Sequence, residues 1–101
     1  MLHLLNIDVS PRKNKKLRAY FENNGRLLYT DFGKKDSQTY IDHKIEKLRE
    51  NYLKRHGALN EDWEDPTSAG ALSAYLLWSY ANSYSTTLAD NIKIYKKKFK
   101  I

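Results

Sequence analysis

Few residues of this chain have the types and the spacing that catalysis requires. The histidines at positions 3, 43 and 56 do not form a His-Glu-x-x-His pattern, and the sequence has neither a Gly-x-Ser-x-Gly motif nor a glycine-rich phosphate loop. His56 lies near the apolar edge of a predicted helix, where a hydrogen-bonded structural role is more common than catalysis. No cysteine is present, which excludes a thiol nucleophile, a thiolate metal site and a disulfide. We therefore predict a protein that is not an enzyme and needs no cofactor.

Carboxylates are concentrated in a short segment whose composition could suggest a cation site. They are Glu61, Asp62, Glu64 and Asp65. Their order does not match the Asp-x-Asp-x-Asp-Gly start of a calcium-binding EF-hand loop. Helix capping and exposure to solvent explain them better, so we expect no metal site.

Positive charge is concentrated at the two ends of the chain. The 101 residues have a net charge of +6, but residues 1–35 carry +5, residues 61–90 carry −5 and residues 91–101 carry +5. Basic segments of this kind suit nucleic-acid phosphates or acidic protein surfaces, although a solvated lysine face is the alternative. No helix-turn-helix, zinc-finger or RNP signature accompanies them. The candidate basic residues are Arg12, Lys13, Lys15, Lys16, Lys93, Lys97 and Lys100.

The elements that would position these residues predict an α+β fold. It consists of a small antiparallel N-terminal sheet, made of one strand and a β-hairpin, followed by three α-helices. We expect a single domain over residues 1–101, because chains of this length rarely divide. Alternation in residues 2–9 predicts a strand with Leu5, Ile7 and Val9 on one face.

Residues 15–32 predict the hairpin. Asn24-Gly25 is a strong type I′ turn signal, because both central residues of that turn need a positive φ. A two-residue turn sets the register, which gives chemically matched pairs on both faces of the hairpin. The predicted pairs are Phe21 with Leu28, Ala19 with Thr30, Leu17 with Phe32, Tyr20 with Tyr29, and Arg18 with Asp31.

The first predicted helix spans residues 39–56, with Gly57 just beyond its end. Its apolar residues follow i, i+4, i+7 and i+11, which keeps them within a narrow stripe. The stripe consists of Ile41, Ile45, Leu48 and Tyr52.

Two further helices are predicted after an acidic loop. Asp65 serves as N-cap of the second helix, with Pro66 at its first helical position, and this helix continues to about Tyr80. Thr86 or Thr87 caps the last helix. The second helix is apolar nearly all round, which places it either at the centre of the core or in an interface.

Aromatic residues favour contacts with partners as well as a packed core. The chain has eight tyrosines and an aromatic content of 13%. Tyrosine combines apolar area with a polar tip, which suits both settings. The residues predicted to contact other proteins are Trp63, Leu72, Tyr75, Leu77, Trp78, Arg55 and His56.

Short motifs occur in a defined order along the chain. They are Phe32-Gly33, His43-Lys44, Arg49, Tyr52, Arg55-His56, Trp63, Asp65-Pro66, Ala69-Gly70, Ser73, Leu76-Leu77-Trp78, and Tyr95-Lys96-Lys97 with Phe99. In order and spacing they resemble a family of short basic proteins encoded by large DNA viruses of algae and protists, over about residues 30–100. Two positions depart from that family, which usually has an aromatic residue before the serine and an arginine after it. This chain has Leu72 and Ala74 there.

This resemblance implies a viral structural protein. We expect a minor capsid or capsid-associated component that contacts other virion proteins, and that is found in the virion and, during assembly, in the host cytoplasm. The alternative is a basic nucleic-acid-binding protein of a large DNA virus. We expect neither membrane insertion nor a small-molecule substrate.

Overall fold

The computed structural model describes residues 1–59 and 61–101. Three antiparallel strands form one sheet in the order β1-β2-β3, and helical segments follow the sheet along the chain. The strands are β1 (Leu2–Val9), β2 (Lys15–Asn23) and β3 (Arg26–Lys34). The helical segments are α1 (Tyr40–His43), α2 (Glu46–Ala58), α3 (Ala69–Leu72), which continues directly into a π-helix (Ser73–Leu77), and α4 (Leu88–Phe99). The predicted α+β fold is confirmed, with four helical segments in the described part of the chain instead of three.

The β2–β3 hairpin has the predicted turn and register. Asn24 and Gly25 have φ of +53° and +84°, as a type I′ turn requires. All the predicted cross-strand pairs are present, and the ladder continues beyond them to Lys15 opposite Lys34. Phe21 is fully buried on the inner face, which packs against the helices.

Arg18 and Asp31 form a bidentate ion pair on the outer face of the hairpin. Arg18 Nε donates to Asp31 Oδ1 at 2.8 Å and Nη2 donates to Oδ2 at 3.0 Å. Ser10 Oγ also donates to Asp31 Oδ1, at 2.7 Å. The hydrogen bond from Arg18 is the main cause that lowers the pKa of Asp31 to about 2.

A β-bulge in β1 changes which residues face the core. The pairing with β2 shifts between Leu4 and Asn6, which leaves Leu5 as an extra residue. Leu4 is therefore buried and Ile7 packs against the core, whereas Leu5 and Val9 are exposed. The prediction that Leu5, Ile7 and Val9 share one face was wrong for Leu5, because simple alternation does not allow for a bulge.

The first predicted helix is divided into α1 and α2. Lys44 has a left-handed φ of +58°, which ends α1, and α2 begins at Glu46. Asp42 Oδ2 accepts hydrogen bonds from Thr39 N and Oγ1, which stabilises the start of α1. Gly57 lies inside α2 and not beyond its end, so that part of the prediction was also wrong.

The second predicted helix begins later than its sequence signals indicate. Asp65 does not cap it, because Asp65 Oδ1 accepts hydrogen bonds from Thr67 N and Oγ1 in a preceding turn. Ser68 is the N-cap of α3, and its Oγ accepts from Ala71 N at 3.1 Å. The last predicted helix is α4, with Thr87 as its N-cap.

The central helical segment, Ala69–Leu77, packs against the sheet and α4 and supplies much of the core. Tyr95 of α4 is fully buried against it, and its hydroxyl donates to Pro66 O at 2.7 Å. Burial raises the pKa of Tyr95 well above its usual range. The buried apolar cluster consists of Leu4, Ala19, Phe21, Phe32, Ala71, Leu72, Tyr75, Leu76, Leu77 and Tyr95. Burying a large apolar side chain contributes about 1.5–3 kcal/mol.

Polar side chains from two neighbouring helices hold the C-terminal end of the central segment. Arg49 of α2 donates from Nε to Trp78 O at 3.1 Å and from Nη2 to Ser79 O at 2.9 Å. Asn91 of α4 is buried and donates from Nδ2 to Leu76 O at 2.9 Å. These donors pair with carbonyl groups that a helix end leaves without intrahelical partners.

Replacing Arg49 with Met should lower the free energy of unfolding by about 1–3 kcal/mol, because the carbonyl groups of Trp78 and Ser79 lose their donor. Lys47→Met changes an exposed residue of the same helix and should shift stability by less than about 0.5 kcal/mol. Urea denaturation followed by circular dichroism compares the two variants. Equal losses would contradict the role of Arg49 at this helix end.

Acid should destabilise the hairpin through Asp31. Because the folded-state pKa is lowered to about 2, the ionised carboxylate stabilises the fold above about pH 4, and this contribution is lost as the pH falls through the folded pKa. Between about pH 4 and pH 2, the stability of the wild type should therefore fall more steeply than that of Asp31→Asn, whose amide does not titrate. Urea unfolding at several pH values measures both slopes, and parallel slopes would refute the assignment.

Candidate functional site

A cleft of about 570 Å³ lies where the end of the hairpin away from its turn, the C-terminal half of α2 and the central helical segment meet. The hairpin and its flanking loops contribute Asn14, Lys15, Gly33, Lys34, Ser37 and Thr39. The α2 region contributes Tyr52, Arg55, His56 and Glu61. The central segment and its end contribute Ala69, Gly70, Ser73, Leu77 and Trp78. Many of the motif residues that are dispersed along the sequence therefore border one site.

Gly33 forms part of the cleft wall where the sheet meets the central segment. Its φ is +79°, and a Cβ at this position would lie 2.9 Å from Leu77 Cδ1 and 3.1 Å from Lys16 Cβ. Glycine satisfies both requirements, since it accepts a positive φ and has no Cβ. The sheet and the central segment are therefore in direct contact at this wall.

Three rings stack beside the cleft. Tyr52 and His56 are four residues apart on α2, so they share a face, and their ring centres are 4.0 Å apart with planes 24° apart. The Tyr52 ring also stacks on Trp78, at 4.1 Å and 6°. Burial, together with the nearby charge of Glu61, raises the pKa of Tyr52 to about 12. Its hydroxyl is therefore neutral at physiological pH.

Glu61 is held in place by two ring nitrogens. His56 Nδ1 lies 3.0 Å from Glu61 Oε2, and Trp63 Nε1 donates to Glu61 Oε1 at 3.2 Å. Because an ionised carboxylate only accepts hydrogen bonds, Nδ1 is the protonated nitrogen in this contact. A Cβ at Gly70 would lie 3.2 Å from Glu61 Cβ, so glycine gives this carboxylate its space.

Three cationic residues border the cleft without a carboxylate partner. Lys15 and Lys34 lie opposite each other on β2 and β3, and Arg55 is in the last turn of α2. None of the three forms an ion pair with a residue that the structure describes. Like charges directly across two strands destabilise a sheet. An anion bound between these residues would relieve that repulsion.

Three of the residues predicted to contact other proteins lie in the core. Leu72, Tyr75 and Leu77 are buried among the sheet, the central segment and α4. This fold does not expose them to a partner, so the prediction is corrected for these residues. The apolar character of the central segment reflects its position between two layers.

The other four predicted contact residues lie at or beside the cleft. Arg55, His56 and Trp78 line it. Trp63 holds Glu61 and places its ring 4.6 Å from that of Tyr80. Trp63 and Trp78 are both partly exposed and both pack against the core.

The predicted basic residues are distributed over several surfaces. Lys15 lines the cleft, but Lys16 donates from Nζ to Ser37 O and lies 3.8 Å from Asp42 Oδ2. The remaining ones are exposed: Arg12 and Lys13 between β1 and β2, Lys93 and Lys97 on α4, and Lys100 just after it. Only Lys15 of this set belongs to the cleft.

Lys34 and Tyr52 are not among the predicted site residues. The hairpin register contains a signal for Lys34. Two residues beyond the Leu17–Phe32 pair, the register places Lys15 opposite Lys34 on the same face of the sheet. The sequence position of Tyr52 is explained by the apolar stripe of its helix and gives no separate signal for a role in the site. Its stack with Trp78 depends on a tertiary contact that no local pattern specifies.

Within residues 1–59 and 61–101, no group of three or more His, Cys, Asp or Glu side chains is placed to hold a metal ion. No helix in the same ranges is long and apolar enough to cross a membrane.

The fold and the cleft define a small α+β protein with a candidate anion-binding site. The chain belongs to a family of unknown function (DUF5754), whose match spans residues 5–56. The matched region includes Lys15, Lys34 and Arg55, whereas the cleft wall from Glu61 to Trp78 lies beyond it. No curated protein and no solved structure shows significant similarity to the chain.

Gly33→Ala should destabilise the protein more than Gly25→Ala. Both glycines have a positive φ, which costs another residue about 1–2 kcal/mol. Only at Gly33 would the added methyl group also overlap neighbours, because nothing lies within 4 Å of a Cβ at Gly25. Urea unfolding of both variants isolates the contact between Gly33 and Leu77. Equal losses would mean that this cleft wall is not tightly packed.

Proposed function

We propose that this protein is a non-enzymatic nucleic-acid-binding protein and, following the resemblance of its motifs, that it belongs to a large DNA virus. The observation that carries the proposal is the group formed by Lys15, Lys34 and Arg55. These three residues border one cleft and have no carboxylate partner among the described residues.

Phosphate groups match this arrangement chemically. Arginine and lysine are the residues that most often neutralise nucleic-acid phosphates, and the release of counterions drives such binding. Exposed Arg12 and Lys13 precede Lys15 in the chain and extend the positive charge beyond the cleft. The net charge of +6 favours association with a polyanion over long range.

A second candidate is a minor capsid or capsid-associated protein that contacts other virion proteins. It is favoured by α2, where no residue is buried, and by two residues of the predicted apolar stripe that remain open to solvent. Ile45 is 48% exposed and Leu48 is 44% exposed. Exposed apolar residues on one face are typical of protein interfaces. This protein would be found in the virion and, during assembly, in the host cytoplasm.

Binding to single-stranded oligonucleotides, measured by fluorescence anisotropy at several salt concentrations, tests the first candidate. Replacing Lys15, Lys34 and Arg55 together with Gln should weaken binding and reduce the slope of log K against log salt by about 2, since each lost phosphate contact removes about 0.7. The matched control replaces Lys93, Lys97 and Lys100 with Gln, which removes the same charge from the α4 region. It should retain most of the slope.

Two outcomes would contradict the nucleic-acid proposal. One is the absence of binding by the wild type at low salt, and the other is an equal loss in the two triple variants. If binding is absent and the protein is recovered at constant stoichiometry in purified virus particles, the capsid-associated role is supported instead.

A further inference from the structure

We propose that the cleft binds a nucleoside 5′-phosphate group, supplied either by a free nucleotide or by the 5′-phosphorylated end of a strand. This inference rests on the proposed function and names the part of the nucleic acid that the cleft recognises. It is carried by the charge, the size and the closed wall of the cleft.

The positive charge of the side chains that border the cleft is larger than the negative charge of one backbone phosphate. Lys15, Lys34 and Arg55 provide three positive charges, whereas a phosphodiester carries one negative charge. A terminal phosphate carries about −1.5 to −2 at neutral pH and has three acceptor oxygens. Glu61 is the carboxylate in the cleft, and its negative charge leaves a net charge of about +2 from these four side chains. A terminal phosphate therefore balances these cations better than an internal one.

The size of the cleft suits one nucleotide unit. Its volume of about 570 Å³ lies within the range of small-molecule sites, which is roughly 300–1,000 Å³. Trp78, which is partly exposed, provides apolar surface for a base, and the Ser73 hydroxyl is a polar group that also lines the cleft. A free ribonucleotide also carries 2′- and 3′-hydroxyls, which are suitable donors to Glu61 because a carboxylate accepts more than two hydrogen bonds.

The closed wall favours the end of a strand over its middle. Contact between Gly33 and Leu77 joins the sheet to the central segment, so the cleft does not continue between them. The aromatic stack of Trp78, Tyr52 and His56 borders another side. An internal nucleotide would have to be extruded from its strand to enter, whereas a terminal nucleotide can enter directly.

Competition and direct binding with the wild-type protein test this inference. An oligonucleotide with a 5′-phosphate should bind about tenfold more tightly than the same oligonucleotide with a 5′-hydroxyl, as the loss of a charged hydrogen-bonding partner predicts. Adenosine 5′-monophosphate should compete, and adenosine should not. Arg55→Gln should abolish the preference for the 5′-phosphate, while Lys97→Gln, on α4, should keep it. Circular dichroism confirms that each variant is folded.

The outcomes separate this inference from the proposed function. Salt-sensitive binding with no preference between the two 5′ ends would overturn the inference and leave nucleic-acid binding intact. Binding of the mononucleotide without binding of any oligonucleotide would support the cleft as a nucleotide site and overturn the proposed function. Stronger competition by a phosphoserine peptide than by the mononucleotide would overturn the inference in favour of a protein ligand.

Discussion

The carbonyl groups at the C-terminal end of the central helical segment need donors, and the arrangement of the helices depends on that requirement. This end lies inside the protein, where an unpaired carbonyl group costs about 1–3 kcal/mol. Arg49 supplies donors from α2, and Asn91 supplies one from α4. Buried Ser79 then turns the chain with a φ of +51°, and its Oγ accepts from Asn91 Nδ2. The two outer helices are thus tied to one end of the buried helix.

This mode of attachment also explains the cleft. No residue of α2 is fully buried, and the helix is held by Arg49 and, three residues later, by the stack of Tyr52 on Trp78. These contacts are polar and aromatic, so α2 does not need to fill the space beside the hairpin with apolar side chains. Leu48 of α2 and its N-cap residue Ile45 consequently stay exposed. The space that remains beside its C-terminal half is the cleft.

Sequence reasoning succeeded where local chemistry decides the structure and failed where tertiary contacts decide it. The hairpin was predictable because Asn24-Gly25 specifies the turn and the turn specifies every pair. The N-cap of the central segment was not predictable. Ser68 and Asp65 are both good capping residues, and only the packed position of the helix selects Ser68. The motif residues of the cleft were visible individually, but their convergence requires α2 to be placed on the central segment by Arg49.

The position of the cations that border the cleft gives it its significance. Arg18 and Arg49 both have carboxylate partners at 2.8 Å, so the chain does neutralise cations where they support the fold. Lys15 and Lys34 are instead placed directly opposite each other, in a register that the turn makes unavoidable. A neutral or acidic residue at either position would stabilise the same ladder. Because natural sequences depart from local stability rules mainly at functional sites, this pair of like charges supports the proposal that the cleft binds an anion.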